Sequence, residues 1–152
     1  MPTLTRVAAL LLFAAFTYFI GLRYLLLFDD PPDTPVGGMF LSLVAAYAGW
    51  SFVGPRIGPS YLRSFTVVIQ GYIVTLFLAL VLYGFYDAFT KGYAQRYKDL
   101  GDVFHGVMGA AIEHLDRMRD LEFLGLLLGI AVVIAVALTT VFRVAEARRL
   151  ER

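Results

Sequence analysis

Cysteine is absent from this 152-residue chain, which excludes disulfide frameworks, thiolate metal sites and thiol redox chemistry. Charge is scarce as well: 16% of the residues are Asp, Glu, Lys or Arg, well below the balance of a soluble domain. The net charge of +1 comes without a basic stripe able to follow a phosphate backbone, so no nucleic-acid partner is expected. Only two histidines occur. His105 stands about 12 Å along a helix from Glu113, and His114 faces nearer an apolar stripe, so no common metal site is expected from these residues. No His-Glu-x-x-His, Gly-x-Ser-x-Gly or Walker-type phosphate loop is present. No nucleophile and base can be paired from sequence, and neither an enzymatic activity nor a cofactor is expected.

What fills the chain instead is apolar: 59% of residues are hydrophobic and the mean hydropathy is +0.73. Long apolar runs extend from Val7 to Phe28, Gly37 to Gly54, Ser64 to Tyr86 and Phe123 to Phe142. A bilayer core about 30 Å thick is crossed by about 20 helical residues. The expectation is an all-α integral membrane bundle of four transmembrane helices, with spans at about 5–28, 37–54, 64–86 and 123–142. Short links between most of the runs leave room for a single domain covering 1–152. The first run outlasts a signal-peptide core of about 7–15 residues and no Ala-x-Ala pattern follows it, so it is expected to remain as a span. Asp29, Asp30, Pro31, Pro32 and Pro35 then end it.

Between the third and fourth runs, Leu100, Val103, Phe104, Val107, Met108, Ala111, Leu115 and Met118 recur at helical spacing. Asp102, His105, Glu113, His114, Asp116 and Arg117 would be costly at membrane depth. The spacing therefore predicts an amphipathic surface helix at about 100–118, packed on the bundle or against a partner. Its mainly acidic polar face does not favour anionic lipid.

Charge sets the expected orientation. Arg6, Arg56, Arg63, Arg143, Arg148, Arg149 and Arg152 fall on one side of a four-span arrangement with only Glu146 and Glu151, whereas the opposite side is acidic in balance. Basic residues are retained in the cytoplasm, so both termini are expected there. Arg23, the one charge within an apolar run, is expected to snorkel to the interface or towards Asp29 and Asp30, with anion binding as the other reading. Gln70 is expected to hydrogen-bond between helices.

Small residues indicate helix packing, because they let backbones approach in lipid. Gly125 and Gly129 form a Gly-x-x-x-Gly step, and Ala45 and Gly49 offer the same spacing. Either step fits packing within the chain or self-association. Trp50, Tyr61, Tyr24, Tyr83 and Tyr86 lie near run ends, where amphipathic rings set depth.

The stretch from Gly49 to Tyr61 reads Gly-Trp-Ser-Phe-Val-Gly-Pro-Arg-Ile-Gly-Pro-Ser-Tyr. It resembles the Gly-Trp-x-x-x-Gly-x-Arg-x-Gly-x-x-Tyr signature of the TrgA family of bacterial proteins associated with tellurite resistance. Met1-Pro2-Thr3, Arg96-Tyr97 and the basic tail are similar to that family too, so the likeness runs the length of the chain. Gln70-Gly71 stands where the family has Asn-Gly-Leu-Thr-Gly, and no Gly-Pro closely follows Arg-Tyr, as in a divergent member. The resemblance implies a small tellurite-resistance protein of the bacterial cytoplasmic membrane. The glycines and prolines describe a tight turn whose Arg56 and Arg63 either anchor topology or hold a phosphate-bearing lipid or an oxyanion. Two functions follow as expectations. One is an accessory protein packing against itself or another membrane protein; the other is an oligomeric transporter or channel for an oxyanion or other small solute.

Overall fold

In the computed structural model the described residues are 4–27, 36–93 and 118–150, with Gly101, His105, Met108, Gly109, Ile112 and Asp116 between them. Every regular element among them is helical. Helix α1 covers Leu4–Leu25, α2 covers Val36–Ala48, α3 covers Tyr61–Tyr93 and α4 covers Leu121–Leu150. A π-helical turn, Gly49–Val53, and a 3-10 turn, Gly54–Arg56, prolong α2.

Among the described residues, four segments are long and apolar enough to cross a bilayer: Leu4–Leu25, Gly37–Arg56, Tyr61–Tyr83 and Leu121–Ala145. The chain is a multi-pass membrane protein. Helix ends outrun the apolar runs at both α3 and α4, because helical hydrogen bonding does not stop where hydropathy falls. The Ala, Glu and Arg residues after Phe142 are good helix formers. At its other end α4 is fixed by Asp120, whose Oδ1 accepts the amides of Glu122 at 2.8 Å and Phe123 at 3.0 Å, satisfying two N–H groups that the first turn leaves open.

The helices close a ring in chain order, α1 packing on α2 and α4, and α3 on α2 and α4. Ala9, Phe13, Val53, Val68, Ala131, Ile134 and Leu138 form the buried centre. Phe13 and Val68, both fully buried, sit on helices that face each other across the ring. The Phe13 ring reaches Tyr72 of α3 at 5.6 Å between centroids, so one aromatic side chain bridges α1 and α3. Without a hydrophobic drive in lipid, such close packing and interhelical hydrogen bonds hold a bundle together. Ser42 supplies one of these, donating to the Ala14 carbonyl of α1 at 2.8 Å.

Most of the segment at 100–118 lies outside the described residues, including Glu113 and His114. The isolated positions that are described there do not support a separate amphipathic helix. Of the expected stripe, Met118 packs on the core while Met108 is exposed. His105 donates from Nδ1 to the Gly101 carbonyl at 2.9 Å.

Candidate functional site

The segment joining α2 to α3 is built by three close approaches. At Gly49 an added Cβ would stand 2.5 Å from the Ala9 carbonyl oxygen and 2.9 Å from its carbon, so only hydrogen fits where α2 crosses α1. The backbone then widens into its π-turn, in which the Gly54 amide bonds to the Gly49 carbonyl. Single π-turns of this kind recur at functional positions. Gly54 in turn lies against Arg6, with 2.8 Å between its missing Cβ and the Arg6 Cα. Between them Val53 is fully buried, and its Cγ2 occupies the space that a side chain at Gly71 would need. Pro55 lies in the first turn of the 3-10 segment, where its missing N–H leaves no bond unmade.

Several residues of the turn have a local task. The Arg56 guanidinium donates to the Phe52 carbonyl at 2.8 Å and lies 3.9 Å from the centre of the Phe52 ring. Ile57 is buried, and the Ser60 carbonyl accepts the Ser64 amide at 3.0 Å to start α3. Arg143 arrives from the far end of the chain. Its Nε and Nη2 donate to the Pro59 carbonyl at 3.0 and 2.6 Å, and its guanidinium covers the Tyr61 ring at 4.4 Å. Arg6, Arg56, Arg63 and Arg143 thus place one guanidinium on each of the four spans at the same end of the bundle. Arg63 is exposed and makes no hydrogen bond or ion pair with the described residues.

Arg143 was legible in sequence only as a charge. Replacing it with Gln removes a paired, charge-assisted contact between α4 and the turn; charged hydrogen bonds contribute about 1.5–3 kcal/mol, discounted here for exposure to about 1 kcal/mol. We expect Arg143→Gln to lower the unfolding midpoint slightly and to raise proteolytic cleavage at 54–60 while leaving insertion intact.

The remaining sequence candidates are dispersed. Arg23 is at the opposite end of α1, exposed, with its guanidinium 5.4 Å from the Phe19 ring centre; Asp29 and Asp30 lie outside the described residues. Ala45 is fully buried in the core cluster with Gly49 beside α1. Gly125 and Gly129 face outward, and nothing stands within 4 Å of where their Cβ atoms would be. Tyr24, expected near a run end to set depth, packs its ring on Phe123 at 5.7 Å between centroids and so joins the edge of the core. Gln70 is exposed and makes no hydrogen bond to another helix among the described residues. The interhelical bond expected within the chain is missing because its side of α3 points away from the bundle.

An open groove lined by Leu43, Val44, Tyr47, Leu78, Val81 and Leu82 runs between α2 and α3. Its apolar walls hold few polar groups that would orient a solute, so its chemistry suits a lipid chain. Among the described residues no cluster of His, Asp and Glu is arranged to hold a metal ion. Comparison with family models, with curated proteins and with solved structures gives no match.

Proposed function

We propose that this chain is a small accessory protein of the bacterial cytoplasmic membrane, allied through its Gly49–Tyr61 motif to the TrgA family and so to tellurite resistance. It acts by packing its helices against itself or another membrane protein. The observation that carries this reading is the unspent surface of α4. Gly125 and Gly129 face outward beside exposed Leu128, Val132, Val133 and Val136, while the glycines at 49, 54 and 71 are consumed inside the bundle. Close-packing surfaces of this type are where helices meet in lipid. The arginines gathered at one end support an orientation with both termini in the cytoplasm. Phe13, Val53, Val68, Ile134 and Leu138 fill the interior, so a route for an oxyanion has to run between copies.

The test is tellurite tolerance of a strain deleted for the gene and complemented with this chain. Restored tolerance without protein-dependent tellurite flux into vesicles, together with a copurifying membrane partner or a second copy, supports the reading. Flux with the purified protein alone replaces it with transport, and unchanged tolerance on deletion removes the link to tellurite. Complementation with Arg56→Gln/Arg63→Gln resolves the turn. Topology anchoring predicts mixed insertion and tolerance falling in proportion to misinserted protein, whereas normal insertion with lost tolerance assigns the arginines to binding.

A further inference from the structure

Among the described residues, Gln70 is the one strongly polar side chain in the middle of an outward helix face. Gln70 stands six residues past Ser64, where the apolar run begins, a rise of about 9 Å, which places the amide about a third of the way into a hydrocarbon core about 30 Å thick. A glutamine side chain is too short to reach either headgroup layer from that depth. Its neighbours on the same face are Leu62, Thr66, Ile73 and Phe77, all exposed. The Thr66 hydroxyl is already satisfied, donating to the Leu62 carbonyl at 3.1 Å. Gln70 has no hydrogen-bond partner among the described residues, leaving two donors and an acceptor facing lipid. Lipid chains offer no hydrogen bonds, and an amide unpaired in hydrocarbon costs several kcal/mol.

We infer that the outward face of α3 binds a second copy of this chain, with Gln70 of each copy hydrogen-bonded to its counterpart. Symmetry selects this occupant. Two copies inserted the same way are related by a twofold axis along the membrane normal, so their α3 helices run parallel and equal positions meet at equal depth. A copy therefore always presents a glutamine where one is needed, and an amide can both donate to and accept from its twin. Thr66, Gln70, Ile73 and Phe77 follow steps of four, three and four, the spacing of a left-handed parallel helix pair. In lipid the hydrogen bond between the paired polar residues both fixes the register of such a seam and holds it together. The aromatic Phe77 and branched Ile73 supply the apolar contact around it.

This inference rests on the proposed packing function, assigns self-association to α3 and leaves the outward face of α4 to another membrane protein. The test uses the natural absence of cysteine. Ile73→Cys and Phe77→Cys, each with Gln70 intact, are oxidised mildly in native membranes, with Leu128→Cys on α4 as the comparison. Crosslinked dimers are expected from the two α3 positions and not from Leu128→Cys. Adding Gln70→Leu should weaken self-association in micelles by about 3- to 30-fold, the equivalent of about 0.6–2 kcal/mol for an interhelical polar contact, while Gln70→Asn retains most of it. A monomeric wild type, a dimer indifferent to Gln70→Leu, or crosslinking at Leu128→Cys alone would each overturn the inference. The last result would still leave helix packing as the function, and tellurite tolerance of the same strains reports on that function separately.

Discussion

Gly49→Ala is expected to destabilise the bundle by about 2–3 kcal/mol, although the same exchange in an open helix stabilises by about 1 kcal/mol. The sign is decided by what the new methyl meets. At Gly49 it stands 2.5 Å from a backbone oxygen and 2.9 Å from a backbone carbon of Ala9, with the Phe13 Cβ at 3.0 Å. Backbone atoms cannot turn aside as a side-chain tip can, so α1 and α2 must separate, and the separation propagates to Val53, Gly54 and Arg6 along the same contact. Gly125→Ala and Gly129→Ala meet nothing within 4 Å and are expected to be neutral or slightly stabilising in monomeric protein. Unfolding in mixed micelles, followed by helix content, measures both signs in one series. A neutral Gly49→Ala would mean that α1 and α2 are not in the close contact described.

The contrast between these glycines also marks the limit of sequence reading. Ala45 with Gly49 and Gly125 with Gly129 share one spacing, and spacing says which residues lie on one face without saying what that face meets. The four spans were legible because a run of about twenty apolar residues matches the thickness of a bilayer and far exceeds what a small soluble core can bury on every side of a helix. Their ends were not, since α3 begins at Tyr61 and α4 continues to Leu150 through residues that are polar yet helix-forming. Asp120 could have been read as the cap of α4, but it sat among charges that looked like one polar connection. The clamp of Arg143 on Pro59 joins residues far apart in the chain, and no local pattern carries such a pairing. The Gly-Pro turn announced itself through composition; the π-turn leading into it did not, because its residues are those of an ordinary apolar helix. Gln70 drew notice as a polar residue in a span, and only the packing revealed that it points outward.

The second large effect is expected at Phe13. In a soluble core Phe→Ala costs about 3–5 kcal/mol, combining lost transfer from water with the cavity left behind. In lipid the transfer part largely disappears, since the unfolded reference is also surrounded by hydrocarbon, but the cavity and lost dispersion contacts remain. Phe13→Ala should therefore destabilise by about 2–3 kcal/mol and loosen α1 from α3, where its ring spans 5.6 Å to Tyr72 and lines Gly71. Gly71 provides the internal check. A methyl added there meets Val53 Cγ2 and also two atoms of the Phe13 ring, Cζ at 2.8 Å and Cε1 at 3.0 Å, so Gly71→Ala alone is expected to destabilise by about 1–2 kcal/mol through overpacking. In a Phe13→Leu background the ring atoms that oppose the methyl are gone, and the two changes should cost less together than the sum of each alone, by about 0.5–1 kcal/mol. Strict additivity in the same micelle titration would show that the ring does not occupy the space beside Gly71, and the bridge between α1 and α3 would have to be assigned to other side chains.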